Sequence, residues 1–245
     1  MPQQSKIKSD NPATLFRDDT EYSILEEAID VSTQQEFFAL RNSLATSKEH
    51  FIELSKEAKQ NISQIFISET PVAVIKRFLV VLSAIDSIPV YRTLKRFSEL
   101  PTPLQQWGII AAQQSRMVIS SSLMNNKAGI FISSGLGGKN SKLRYHCVFP
   151  YNKTNILEEF QEQLTYNELL FAIERAGGEL ENFQINKEYI TAMVLLPLRT
   201  DIKELFGNIM HECNLYGDFL NEQVIITNVK ELNDAEIKKH LSQKK

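Results

Sequence analysis

From residue 32 to about residue 125 apolar side chains recur at helical intervals, and Phe51, Leu54, Ala58, Ile62 and Ile65 form one i, i+3/i+4 stripe. Ser32 and Thr33 precede Gln35 and Glu36 by the capping-box interval, and Thr46 precedes Glu49 by the same interval, so two helix starts are expected there. Thr70 with Pro71 and Thr102 with Pro103 signal two more, because a proline in the first helical turn forfeits no hydrogen bond. Pro89 and Pro101 punctuate the stretches between them. The pattern predicts about five helices joined by short links, and the helix after Pro71 is apolar on most faces and therefore central.

After Asn126 the period changes. Strands are expected over 128–134 and 143–149, then a helix over about 155–176 stopped by Gly177 and Gly178. Residues 180–185 and 189–196 form a hairpin across Asn186 and Lys187. A helix over 201–216 closed by Gly217, a last strand over 223–229 and a polar helix over 234–241 complete the chain. Within this region Asn155, Ile156, Glu158 and Phe160 recur 46 positions later as Asp201, Ile202, Glu204 and Phe206, and Pro150 recurs as Pro197. Each set reads as a capped helix start after an apolar strand, so the pattern points to two hairpin-plus-helix halves.

Helices joined by short turns pack antiparallel, either as a compact bundle or as a short stack of helical hairpins that resembles HEAT-type arrays. The order strand, helix, hairpin, helix, strand over about 143–229 resembles the ferredoxin-like βαββαβ family, with 128–134 as an added strand. In that family the first strand is central with both neighbours taken. A tight hairpin from Ser134 into Leu143 therefore implies an altered strand order or an overhanging strand. The expected fold class is α+β: an N-terminal multi-helix bundle or short helical-hairpin stack, followed by a ferredoxin-like-related duplicated ββα antiparallel sheet domain. The expected divisions are a flexible acidic N-terminal arm (1–31), a helical domain (32–125), an α+β sheet domain (126–232) and a polar C-terminal helix or tail (233–245). The resemblance implies fold alone, since that fold hosts enzymes, regulators and RNA binders.

Composition bounds the chemistry. The 245 residues are 42% hydrophobic and 23% charged, too apolar for a wholly disordered chain. The apolar run over 72–85 contains Lys76 and Arg77 and is too short for a bilayer, and residues 1–12 lack an apolar leader core. No membrane role and a cytoplasmic location are therefore expected. Two cysteines, Cys147 and Cys213, are too few for a disulfide framework. They also make a poor zinc set with His146 and His211. Adjacent strand residues point to opposite faces, and helix residues two apart are about 200° apart. Cys213 instead continues an apolar stripe with Ile202, Phe206, Ile209 and Tyr216, so a structural role is expected, with no metal and no cofactor. Nucleophile-elbow, metalloprotease and dinucleotide-binding motifs are absent from the sequence.

The most suggestive local feature is the loop over 133–142, which carries Gly135, Gly137 and Gly138 together with Lys139 and Lys142. Such a loop can turn successive backbone N–H groups toward an oxyanion. It can equally be a hairpin tip whose glycines supply positive φ. Charge sharpens the picture: the formal total is −3, yet from 100 to 157 there is no acid, against Arg116, Lys127, Lys139, Lys142, Arg144 and Lys153. A segment that has shed its acids attracts polyanions. The candidate ligand-binding residues are Ser134, Gly135, Gly137, Gly138, Lys139, Lys142 and Arg144. The expected function is a non-enzymatic binding, adaptor or regulatory protein that takes an anionic ligand or partner (nucleic acid, a nucleotide or an acidic protein surface) through this loop. The alternative is an enzyme that grips a phosphorylated or carboxylated small molecule there, with Glu158, Glu212 or Asp218 as base. A homo-oligomer through a sheet edge is a further expectation. The acidic arm could cover the basic stretch.

Overall fold

The computed structural model describes residues 22–45, 47–123, 130–152 and 157–242. The first part holds β1 (Tyr22–Ile24), α1 (Val31–Leu44), α2 (Lys48–Gln60), a 3-10 turn (Ile62–Phe66), α3 (Val72–Ser83), α4 (Ile88–Ser98), α5 (Gln105–Leu123) and β2 (Ile130–Ile132). The second holds β3 (Gly138–Lys139), β4 (Lys142–Pro150), α6 (Glu159–Arg175), β5 (Glu179–Ile185), β6 (Tyr189–Pro197), α7 (Ile202–Asn214), β7 (Ile225–Thr227) and α8 (Asp234–Ser242). The chain is thus a mixed helix and sheet protein whose larger sheet is antiparallel, the α+β class.

The apolar run after Pro71 makes α3 the central helix: Phe78, Leu79, Val80, Val81 and Leu82 are all buried, among α1, α2, α4 and α5. Helix starts depart from the expected caps by a residue or two. Ser47 rather than Thr46 caps α2, its Oγ accepting from His50 N at 3.1 Å, and Thr46 lies outside the described residues. Asp30 precedes α1, ahead of Ser32 and Thr33. Pro89 does not punctuate; it sits in the first turn of α4, where its missing N–H costs nothing. Gly108 lets α5 close on α4, since a Cβ there would lie 2.6 Å from the Phe97 ring.

In the larger sheet β3, β4, β6 and β5 are neighbours in that order, all antiparallel, and β7 also pairs with β4. β3 takes the 142–143 end of β4 and β7 takes 146–148, so β3 is an overhang that shares an edge with β7. The strand expected over 128–134 does not pair with β4. Its described part, β2, runs parallel to β1 and packs Phe131 on Phe38 of α1. Within the stretch expected as a free acidic arm, residues 22–30 are part of the fold: Leu25 and Ile29 are fully buried in the helical core.

Alternation along β4 and β6 separates two faces. Cys147, Phe149, Ile190, Ala192, Val194 and Leu196 meet Leu169, Ile173, Phe206, Ile209 and Cys213 of α6 and α7. The other face is covered by α8, whose Ile237 packs on Val148 and Tyr189, while Asp234 accepts from the Tyr189 hydroxyl at 2.7 Å. The internal repeat does not carry through at its marker residues. Asp201 caps α7 through Glu204 N, but Glu158 itself caps α6, so Phe160 is 51% exposed where Phe206 is buried. Asn155 and Ile156 lie outside the described residues. Among the described residues no helix is long and apolar enough to cross a membrane.

Candidate nucleic-acid interface

The glycine loop lies where the N-terminal segment, the end of β7 and the start of β4 converge, and its donors face inward. Leu136 N donates to Asn228 O (3.1 Å), Gly137 N to Ser134 O (3.3 Å), Gly138 N to Glu26 O (3.0 Å) and Asn140 N to Glu26 Oε1 (3.1 Å). The glycines are there for close approach: a Cβ at Gly135 would sit 1.6 Å from Val229 O, and one at Gly137 2.3 Å from Glu26 O. Ser134 is buried, its Oγ donating to Gly137 O and its carbonyl accepting from Gln34 Nε2. The hairpin tip proper is Asn140 and Ser141, at φ 50 and 61, the two left-handed positions of a tight turn between β3 and β4.

The loop's cations are likewise engaged. Arg144 forms a bidentate pair with Glu181 and donates Nη1 to Leu136 O at 2.9 Å, while Lys139 meets Glu179 at 3.0 Å. The guanidinium holds the Glu181 carboxyl below its usual range. Lys142 is half-buried at the start of β4 and has no ion pair among the described residues. The candidate acids do not gather at the loop. Asp218 accepts from Asn152 Nδ2 at 2.8 Å, beyond the far end of β4, roughly 30 Å from Lys142 at 3.3 Å per strand residue. Glu158 caps α6 and Glu212 lies exposed on α7. Both cysteines are buried thiols, with burial pushing Cys213 up to about 11, and no metal-holding group of His, Cys, Asp and Glu occurs among the described residues.

A cluster of positive charge without ion pairs among the described residues lies in the helical part. α3, α4 and α5 pack on one another and contain Lys76, Arg77, Arg92, Lys95, Arg96 and Arg116 without a single acid; the links between them hold two, Asp86 and Glu99. Lys76 and Arg77 are tied to Glu36 and Glu57. α4 is different. Val90, Leu94 and Phe97 bury one side, and Arg92, Lys95 and Arg96 stand exposed within about 100° of arc on the other, with no ion pair among the described residues. The Arg96 guanidinium lies over the Phe66 ring, 5.4 Å from its centroid, which leaves the charge outward. Cations near the α4 C-terminus also complement the helix dipole. In the sequence this cluster stands outside the acid-free stretch 100–157, because Glu99, the residue after α4, bounds that stretch; the signal is the lack of acids within the helix itself.

No family model matches the chain, and no curated protein matches it. Among solved structures, a protein of Deinococcus radiodurans R1 described as a candidate transposase shares 16% identity, over 43% of this chain and 93% of its own, with a TM-score of 0.37. A REP-associated tyrosine transposase, solved bound to a REP hairpin, shares 11% over 40% of this chain and 61% of its own, with a TM-score of 0.32. At these values neither likeness assigns the chain to a family. The expected function nevertheless needs correction. The loop that was to grip the anion spends its amides and its principal cations within the fold, so a binding or adaptor function exerted through it does not stand.

Proposed function

We propose that this chain is a nucleic-acid-associated protein that holds the phosphodiester backbone of duplex DNA on the outer face of α4. The observation that carries this is the exposed set Arg92, Lys95 and Arg96, without an ion pair among the described residues, on a helix without acids. Two features add support. α3 and α4 are joined by the four residues 84–87, the link length of a helix-turn-helix, in which the second helix meets the groove. The sheet part, by contrast, pairs Lys139 and Arg144 internally, and the acids of α6 would repel a polyanion there. We further propose that the sheet part is ferredoxin-like: the order β4, α6, β5, β6, α7, β7 and the neighbour relations β7, β4, β6, β5 support it. The division into helical (32–125) and sheet (126–232) units, followed by the C-terminal segment 233–245, belongs to the same proposal, as does a cytoplasmic location.

The test is fluorescence anisotropy with a duplex of roughly 30 base pairs at about 50 mM salt. The variant R92A/K95A/R96A should bind at least about tenfold more weakly, with a log–log salt dependence shallower by about 2–3, since each phosphate contact contributes about 0.9. Lys139→Ala should leave affinity within about twofold, because that cation is already paired. Unchanged affinity in the α4 variant at an unchanged melting temperature would overturn the proposal, as would a wild-type protein that does not bind at low salt.

A further inference from the structure

The surface opposite in sign to α4 lies on the sheet part. A groove of about 810 Å³ runs between α6 and α7, lined among others by Glu168, Phe171, Arg175, Glu204, Leu205 and Glu212. Its apolar anchor, Phe171, is 62% exposed, and Phe160, eleven residues or three turns earlier on the same side of α6, is exposed as well. Large aromatic side chains left in water along one helix face, with acids on the rim, describe a surface suited to a cationic amphipathic helix. Arg175 is the one cation in that lining.

The chain itself presents such a helix. On the outer side of α4, Ile88 is 50% exposed one turn before Arg92, and Lys95 and Arg96 follow on the same side. In one copy these surfaces do not meet: α4 packs chiefly on α5 and α3, and α6 chiefly on α7 and β5. We propose that a second copy of the chain seats its α4 face on the α6–α7 groove, Ile88 toward Phe171 and Arg92, Lys95 and Arg96 toward Glu168, Glu204 and Glu212. The two faces are different, so the contact is head-to-tail and each copy keeps one free face, which generates a series of oligomers and not a closed pair. Assembly then buries the residues that hold DNA; this competition rests on the function proposed above, whereas the docking does not.

Sedimentation velocity over a range of about 5–200 μM tests the docking, with salt near 50 mM and near 500 mM to weigh its ionic part. The wild type should gain mass with concentration at low salt and return to monomer at high salt. The groove variant F171S/E204K and the α4 variant R92A/K95A/R96A should each stay monomeric, and their mixture should form a 1:1 complex and nothing larger. That complementation also shows that both variants are folded. A wild type that is monomeric throughout, or association that persists in either variant, would overturn the docking. At concentrations where the wild type assembles, F171S/E204K should bind duplex DNA at least about threefold more tightly. Equal affinities would overturn the competition. Absence of DNA binding by both proteins would remove the nucleic-acid function and leave the docking standing.

Discussion

A methyl group at Gly135 would lie 1.6 Å from the carbonyl oxygen of Val229, a distance that only backbone movement can relieve. Gly135→Ala should therefore lose at least about 2–3 kcal/mol, seen as a fall of about 5–10 °C in melting temperature. Gly207→Ala is the control: its Cβ meets nothing within 4 Å on the exposed side of α7, so the helix-propensity gain of up to about 1 kcal/mol should appear instead. If the two variants melt alike, close approach is not why Gly135 is a glycine. The sequence shows that this loop turns, because glycine clusters have a local meaning. It does not show what the loop turns against, because Val229 and Glu26 are about a hundred residues away in either direction and carry no local mark. Arg144 was legible as a projecting cation; Glu181, which neutralises it, could be placed opposite only once β5 and β6 were paired in register. Cys213 was the reverse case: a helical stripe alone identified it as core, although Tyr216, at the end of that stripe, escapes to the surface.

Besides the β7–β4 pairing and the packing of Ile237, the segment from β7 through α8 is held to the sheet by the Tyr189–Asp234 hydrogen bond and by the Leu232 amide, which donates to His146 Nδ1 at 3.2 Å. The imidazole is 3% exposed, and burial lowers its pKa, with Glu231 opposing the shift. An unfolded chain takes up a proton at that position near pH 6.5, while the folded chain resists, so stability should fall as pH drops through about 6.5. The urea midpoint should be lower at about pH 5.5 than at about pH 7.5. The fall should be smaller in His146→Asn, which keeps an acceptor that does not titrate; equal falls would exclude His146 as the cause. At this scale the sequence was most readable. Hydrophobic period alone located the helical run and the strand-rich run, because a buried face repeats with the geometry of its own element. Caps and repeats were less secure. Asp201 and Glu158 both begin helices, but a shift of three residues at α6 places Phe160 in water while Phe206 is buried.

The helical core and the sheet core are separate clusters joined by a polar seam. Gln34 is its centre: Nε2 donates to Ile29 O (2.8 Å) and Ser134 O (3.2 Å), both out of solvent, and Oε1 accepts from the half-buried Ser133 Oγ (2.6 Å). Removing a buried partner of this kind costs about 1–3 kcal/mol. Calorimetry of the wild type should show one cooperative transition, and Gln34→Ala should lower it or divide it in two. Two transitions in the wild type would mean that the seam does not couple the cores. The seam could not be foreseen from the acidic composition of 22–30, where Leu25 and Ile29, not the surrounding acids, decide the packing. Nor did the total of −3 reveal that positive α4 and acidic α6 are carried on a single molecule. Charges of opposite sign held apart on one body make a permanent dipole. Near any extended polyanion such a molecule feels a torque before it feels a contact. It would turn to arrive α4 first, so the approach would be oriented at a distance that salt can shorten to nothing.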